Sequence, residues 1–331
     1  MPRGAGAYVP GMPWPPIPYD AWRTTLETLH RYTQIAGKIQ LARTPLANHY
    51  WNVALYVTPR GLTTRSMPAD PTGERVFAIA FDLVEHRVTI QVSDGQSRRL
   101  ALAPRSVSDF YEDVMTRLAE LGIEVRIDDH PVELLSEAIP LASDVLHKTY
   151  DPIMAERFFR VLSHSALVLE EFRARFLGKS SPVHFFWGSF DLALTRFSGR
   201  RAPPRQGADA VTRESYSHEV MSGGFWPGDA RHPEPAYYAY AVPAPDGFSE
   251  ATVHPRSAFW HKDLGEFLLP YDAVRNADDS RAMLLEFLQS AYEAAADLGR
   301  WDRAALEREV PAPEERRAAP PPLHSPPPTV Q

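Results

Sequence analysis

The chain has 331 residues, 44% of them hydrophobic, and a formal net charge of −7 with no block of basic residues. This charge argues against nucleic acid or an anionic membrane surface as a partner. The absence of cysteine excludes disulfides, thiol catalysis and cysteine-ligated metal centres, and it favours a cytoplasmic location. No apolar run reaches the roughly 18 residues of a membrane span, so we expect no membrane insertion.

Glycine and proline dominate residues 1–18. Neither residue suits a helix or an inner strand, so this segment is predicted to be a surface arm anchored by Trp14. A first unit, residues 19–145, then opens with a helix. Apolar residues at helical spacing predict that this helix runs from a cap at Asp20 to Gly37.

Strand-forming residues follow this helix and are interrupted by turn signals. Aromatic and β-branched residues favour strands, and the pair Asp94–Gly95 is typical of a hairpin turn. A helix over residues 110–121, capped by Ser106 or Ser108 and ended by Gly122, completes the unit. The predicted strands are residues 44–58, 76–84, 88–92, 100–102 and 124–127.

A second unit, residues 146–300, shows the same kinds of signal. It begins with a helix over about residues 151–177 and ends with a helix over residues 280–298, each with an apolar face. Proline-rich residues 301–331 are predicted to be a disordered tail. The strands predicted between the two helices are residues 181–199, 214–228 and 237–242.

The two units share an order of features: a Gly–Lys pair, a Ser/Thr–Pro pair, then a histidine before a tryptophan. Such self-similarity predicts an α+β fold of two similar helix–antiparallel strands–helix halves, with sheets flanked by helices. The alternative is coincidence between two aromatic-rich strands. His49 precedes Trp51 by two residues and His184 precedes Trp187 by three, so the two histidines would face differently on a strand.

Three runs of residues carry a resemblance to a known family. They are Leu-His-Arg-Tyr-Thr-Gln-Ile-Ala-Gly-Lys at 29–38, His-Phe-Phe-Trp-Gly-Ser-Phe-Asp-Leu-Ala at 184–193, and Tyr-Ser-His-Glu-Val with Gly-Phe-Trp-Pro-Gly within 216–228. Over roughly residues 20–300 the chain resembles a mainly bacterial family known only as a domain of unknown function. The resemblance implies no activity, substrate or cofactor, and the cofactor stays open.

Candidate site residues come mainly from the strand predicted over residues 181–199. Alternation along this strand puts Trp187, Ser189 and Asp191 on one face, where a buried carboxylate needs partners. A carboxylate beside a histidine in an apolar pocket can act as a general acid or base. The predicted catalytic residues are Asp191, His184, His218 and Glu219. The predicted ligand-binding residues are Asn48, His49, Trp51, Trp187, Ser189, Arg196, Ser222 and Trp226.

Structural roles are the alternative at each position. His184 could be a core histidine, and Asp191 could form a buried ion pair with Arg196. Three imidazoles and two carboxylates could also bind a metal ion, but no known ligand spacing is present and no metal site is predicted.

Three classes of function remain open at this point. The favoured one is an enzyme or small-molecule-binding protein with a cleft walled by His, Asp, Glu and Trp, using acid–base or metal-assisted chemistry. The others are a non-catalytic module whose aromatic groove binds a peptide or partner strand, and a purely structural protein. The expected partner is a small molecule, and the oligomeric state is left open.

Overall fold

The computed structural model describes residues 13–134 and 138–308. Helices flank two antiparallel sheets in this part of the chain, so the α+β prediction is confirmed. Within the described residues no helix combines the length and apolar character needed to cross a membrane. The helices are α1 (Tyr19–Arg43), α2 (Val107–Glu120), α3 (Pro152–Ala174), α4 (Ala210–Ser215), α5 (Tyr271–Arg275), α6 (Ser280–Leu298) and α7 (Arg303–Leu306).

The first sheet is built from residues of the first unit. Its strands run in the order β1-β2-β4-β5-β6, and β3 pairs with β4. The predicted turn at Asp94–Gly95 is confirmed, since β5 and β6 pair on either side of it and Gly95 has a φ of 89°. The strands are β1 (Tyr56–Thr58), β2 (Gly61–Thr63), β3 (Met67–Pro68), β4 (Val76–Asp82), β5 (Arg87–Val92) and β6 (Ser97–Ala101).

The second sheet comes from the second unit and has the order β11-β12-β10-β9-β8-β7. The two sheets touch where Leu55 and Phe185 exchange backbone hydrogen bonds of 2.8 and 2.7 Å. The strands are β7 (His184–Phe186), β8 (Asp191–Arg201), β9 (His218–Trp226), β10 (Ala236–Val242), β11 (Phe259–His261) and β12 (Glu266–Pro270).

Helix α1 lies in the middle of the molecule and is buried on all sides over residues 28–40. The predicted end at Gly37 is wrong, because the helix continues to Arg43. This glycine serves packing instead. A Cβ atom at Gly37 would lie 2.1 Å from Trp187 Nε1, so only glycine lets the indole ring rest against the helix.

Other helix predictions are confirmed by their caps. The Ser106 hydroxyl accepts a 3.1 Å bond from the Asp109 N–H at the start of α2, and Asp151 caps α3 in the same manner. Of the predicted arm, residues 13–18 are described, and the Trp14 ring packs 5.5 Å from the His164 ring. Of the predicted disordered tail, residues 303–306 form α7, whose Leu306 carbonyl accepts a 2.7 Å bond from the Leu177 N–H. Residues 1–12 and residues 309–331 lie outside the described part.

Several strand predictions are wrong. Residues 44–58 contain a 3₁₀ turn at Asn48–Tyr50, and only Tyr56–Thr58 is a strand. Residues 124–127 form no strand, residues 181–199 form a hairpin, and residues 214–228 contain the end of α4 before β9. Because residues 44–58 and 181–199 differ in this way, the internal duplication is not confirmed.

Candidate functional site

A tight turn between β7 and β8 sets the position of Asp191. Phe186 pairs with Asp191 across the hairpin, and residues 187–190 make the turn. Phe190 has a φ of 58°, an unusual value for a bulky residue, and its ring packs 4.8 Å from the His30 ring. His30 Nε2–H donates a 2.9 Å bond to the Gly188 carbonyl. Burial lowers the pKa of His30 to about 4, so a neutral imidazole holds the turn in place.

Two hydroxyl groups contact the carboxylate of Asp191, one on each oxygen. Ser189 Oγ–H donates to Oδ1 and the Tyr238 hydroxyl donates to Oδ2. Tyr238 reaches Asp191 by lying across Gly224 on the strand between them, where a Cβ atom would be 2.6 Å from the tyrosine oxygen. Burial raises the pKa of Asp191, and the two hydroxyl bonds only partly oppose that effect.

Asp191 lies in a cleft of about 750 Å³, a volume within the range of small-molecule sites. The cleft is open to solvent, and its walls come from α1, the β7–β8 turn, β9, β10 and the start of β12. The charged residues lining it are Arg23, Glu27, Arg31, Glu133, Asp191, Asp229, Arg231 and Glu266.

Two further carboxyl groups in the cleft are affected by Asp191. Burial, with the charge of Asp191 as the second cause, raises the pKa of Glu266 to about 8. The same two causes raise the pKa of Glu133. The carboxylate of Glu133 passes over the turn, since a Cβ atom at Gly188 would lie 2.5 Å from its Oε1. Because its pKa is about 8, Glu266 is protonated at neutral pH.

Aromatic residues form the rest of the wall. The Tyr216 and Tyr240 hydroxyls are 3.0 Å apart, and the Tyr240 ring stacks 5.9 Å from the Tyr238 ring. Burial raises the pKa of all three tyrosines, so their hydroxyls stay neutral and able to donate. A second cavity of about 560 Å³ adjoins the cleft and shares Tyr216, Tyr240 and Glu266 with it.

Only part of the predicted site lies in this cleft. Asp191, Ser189 and Trp226 line it. His184 does not, because it is fully buried on β7, with its ring 4.6 Å from that of Phe186. Among the described residues, neither of its ring nitrogens has a hydrogen-bond partner. Burial lowers the pKa of His184 to about 3, so it is a neutral core residue.

Trp187 and Arg196 are also core residues. Trp187 Nε1–H donates a 2.9 Å bond to the Val53 carbonyl. Arg196 donates to the Phe172 carbonyl, and its guanidinium group lies 3.4 Å from the centre of the Phe172 ring. The alternative of a buried ion pair between Asp191 and Arg196 is therefore wrong, since each side chain has other partners.

Glu219 and Ser222 lie on β9 away from the cleft. Glu219 Oε2 accepts 2.8 Å bonds from Ser198 Oγ and Arg200 Nε, which makes a surface ion pair. Ser222 is buried, with its hydroxyl 3.0 Å from that of Thr195. Both contacts are structural.

The remaining predicted residues meet at a second place. The His49 ring lies 5.1 Å from the Trp51 ring and 5.9 Å from the His218 ring, and Lys179 Nζ–H donates a 2.7 Å bond to His49 Nε2. Asn48 begins the turn that carries His49. We call Lys179, His49, Trp51 and His218 the lysine–histidine cluster. None of these four residues lines the cleft. Of the residues expected to wall the cleft, Trp187, Asp191, His218 and Glu219, only Asp191 lies in it.

Sequence reasoning missed several residues of the cleft. Tyr238 and Tyr240 lie on a strand that was predicted, and their alternation was a usable signal for a shared face. Glu266 begins β12, a strand that was not predicted, and Glu133 lies in a loop. Short strands and loops leave little periodicity to detect.

Within residues 13–134 and 138–308, histidine and carboxylate side chains come close enough to share a metal ion at one place. One group of three has its ligand atoms within 4.8 Å of one another, formed by Asp128, Asp129 and His130 on a loop outside the cleft. The cleft carboxyls form no such group among these residues.

Comparisons with known proteins give one finding. A family model described as a family of unknown function (DUF5996) matches residues 14–308. No curated protein and no solved structure matches the chain.

Proposed function

The chain belongs to the family of unknown function DUF5996, and we propose from its cleft that it is an enzyme that performs general acid–base chemistry on a small polar molecule. Asp191 is the base and Glu266 the acid. The observation that carries this proposal is the pair of carboxyl groups in one cleft. Burial, with the charge of Asp191 as the second cause, raises the pKa of Glu266 to about 8.

The two carboxyls are suited to opposite roles. Asp191 accepts a bond from Ser189 on one oxygen and from Tyr238 on the other, and accepting bonds stabilise the ionised form. Burial, and after it the charge of Asp191, favours the protonated form of Glu266. We therefore assign the two groups different protonation states, as is typical of acid–base pairs in enzymes.

The charge of the cleft limits the class of substrate. Five carboxyl residues and three arginines line it, and two of the arginines have carboxylate partners: Arg31 binds Asp144 at 3.1 Å and Arg231 binds Asp229 at 2.7 Å. An anionic substrate would meet repulsion, so we infer a neutral or cationic one. Trp226 and the tyrosines offer flat faces for its apolar part.

In the proposed reaction, Asp191 takes a proton from the substrate or from an attacking water molecule. Glu266 gives its proton to the oxygen or nitrogen atom that leaves. Tyr238 and Ser189 hold the Asp191 carboxylate in one orientation throughout, which is the form of preorganisation that proton transfer needs. Hydrolysis of a neutral ester, glycoside or amide meets this description.

The test is a panel of chromogenic esters, aryl glycosides and amides. We expect turnover by the wild type to fall about 100-fold or more in Asp191→Asn and in Glu266→Gln, the range for losing general acid–base catalysis. The kcat/KM should also fall as the pH rises through about 8, because Glu266 then loses its proton. Glu219→Gln is the matched control, since its ion pair lies outside the cleft. A substrate that both cleft variants turn over at the wild-type rate would contradict the proposal.

A second candidate is a non-catalytic module that binds a peptide. It is favoured by the adjoining cavity, which is lined by Pro203, Pro204, Pro243 and Tyr216 and extends the cleft into a longer trough. Extended peptides bind in such aromatic grooves. On either candidate we place the protein in the cytoplasm, with no nucleic acid as partner, from its composition.

A further inference from the structure

The lysine–histidine cluster lies outside the cleft and has chemistry of its own. His49 sits in a strained turn, where His49 and Tyr50 both have a φ of 59°. Its backbone N–H donates a 3.2 Å bond to Glu214 Oε1, and its Nδ1 lies 3.1 Å from the carbonyl oxygens of both Glu214 and Ser215. Strained backbone of this kind concentrates at functional sites.

These contacts fix which nitrogen of His49 carries a proton. Carbonyl oxygens only accept hydrogen bonds, so Nδ1 must be the N–H and Nε2 holds the lone pair. Burial lowers the pKa of His49, and the charge of Lys179 lowers it further. The imidazole is therefore neutral at neutral pH and presents a proton acceptor to Lys179.

Lys179 is held against this acceptor by its own backbone. Its carbonyl oxygen accepts a 3.0 Å bond from the Phe197 N–H, and its Nζ lies 2.7 Å from His49 Nε2. The ammonium group contacts a neutral imidazole here, which stabilises it less than a carboxylate would. Lys179 is an exposed residue.

Aromatic rings surround the same nitrogen. Nζ lies 4.7 Å from the centre of the Phe197 ring and 5.4 Å from that of the half-buried Trp51 ring. Cation–π attraction and the charge of Glu214 favour the ammonium form. Desolvation by the surrounding residues outweighs the charge of Glu214, so the pKa of Lys179 is lowered.

We propose that Lys179 is a nucleophilic lysine that condenses with small aldehydes bearing a flat apolar body, and that His49 is its proton acceptor. The body would rest on the exposed part of the Trp51 ring, next to Nζ. Nothing in the acid–base function of the cleft requires this site, since the two groups of residues do not overlap.

The reaction balances without a further reagent. The ammonium group of Lys179 passes one proton to His49 Nε2, and the free nitrogen pair forms a C–N bond to the carbonyl carbon while the C=O pair moves to oxygen. A proton moves from nitrogen to that oxygen. His49 then returns its proton to the hydroxyl, which leaves as water as the C=N bond forms. The product is a protonated imine on Lys179.

The test uses the fact that the sequence has four lysines, Lys38, Lys148, Lys179 and Lys262. The intact chain is treated with limiting benzaldehyde and cyanoborohydride at neutral pH, and peptide mass spectrometry measures the labelled fraction of each lysine. Lys148 and Lys262 are exposed internal controls, and Lys38 is buried. In the folded protein we expect Lys179 to react at least about tenfold faster than either exposed control. After unfolding in urea, Lys179 should react at the same rate as the controls.

His49→Asn tests the role of the acceptor. Asparagine tolerates a positive φ and lacks Nε2, so the turn is preserved while the acceptor is lost. We expect the Lys179 rate to fall to that of Lys262. A Lys179 rate in the wild type no higher than that of the exposed controls would overturn the proposal, whether or not the variant folds. An unchanged rate in a folded His49→Asn protein would overturn the role of His49.

Discussion

The two groups of polar residues along β8 are opposites in their electrostatics. At the start of the strand, the acidic cleft has carboxyls whose pKa values are raised by burial, and the charge of Asp191 further raises that of Glu266. Farther along, next to Phe197, the lysine–histidine cluster has basic groups whose pKa values are lowered. In both places burial favours the neutral form of an ionisable side chain, and so shifts its pKa toward neutral pH.

The contrast teaches that burial alone does not identify a site. His184 is more deeply buried than Asp191, and the pKa of His184 is also shifted, yet among the described residues no hydrogen-bond partner orients its ring. Asp191 and His49 each have hydrogen-bond partners that fix the reactive atom. The predictions below test whether those partners serve function or only stability.

The largest expected effect is on the packing that brings Tyr238 to Asp191. In Gly224→Ala, the added Cβ would lie 1.9 Å from the Leu192 carbonyl oxygen and 2.6 Å from the Tyr238 hydroxyl. We expect urea denaturation to show a loss of about 3 kcal/mol or more, the upper range for overpacking. Gly247→Ala is the control: its φ is 80° but nothing lies within 4 Å of the added atom, so the expected cost is about 1 kcal/mol. Equal losses would contradict the packing argument.

The next largest expected effect is a difference in folding stability between variants of two aspartates of similar burial, Asp82 and Asp191. Burial raises the pKa of Asp82, but bonds from Arg60 and from backbone N–H groups outweigh it and hold the pKa below its usual value. Its charge thus stabilises the fold above the unfolded pKa, and Asp82→Asn should cost about 2 kcal/mol at neutral pH. The pKa of Asp191 is raised, so its ionisation opposes folding as the pH rises.

For that reason Asp191→Asn should stay within about 1 kcal/mol of the wild type, or exceed it, while any ligand affinity is lost. The measurement is thermal and urea unfolding of Asp82→Asn and Asp191→Asn beside the wild type. Strong destabilisation of Asp191→Asn with ligand binding intact would show that Asp191 is structural.

Much of the fold could be predicted because its signals are local. Helix caps such as Ser106 and the hairpin turn at Asp94–Gly95 depend on a few neighbouring residues, and they were placed correctly. The turn at residues 187–190 could not be found, because aromatic residues on both sides hide the reversal within one strand-like run. A reversed chain breaks the alternation from which the faces of the strand were inferred.

The candidate site could be predicted only in part for a related reason. Asp191 was identified since a carboxylate in an apolar run needs partners. Its partner Tyr238 depends on the register of three strands and on the absence of a side chain at Gly224. Glu266 depends on β12 lying next to β10 in the sheet. Such long-range pairings are not encoded in any single stretch of sequence.

The central claim is that Glu266 holds its proton at neutral pH because Asp191 and burial raise its pKa to about 8. A folded pKa above the unfolded value means that the stabilising effect of Glu266 is complete below about pH 4.5 and is lost as the pH rises through about 8. The direct measurement is carbon NMR of labelled glutamate carboxyls against pH, in wild type and Glu266→Gln. The account predicts one carboxyl that titrates near pH 8 and is missing from the variant. The carboxyl signal that is present in the wild type and missing from the variant belongs to Glu266. If that signal titrates below about pH 6, the acid–base account is contradicted.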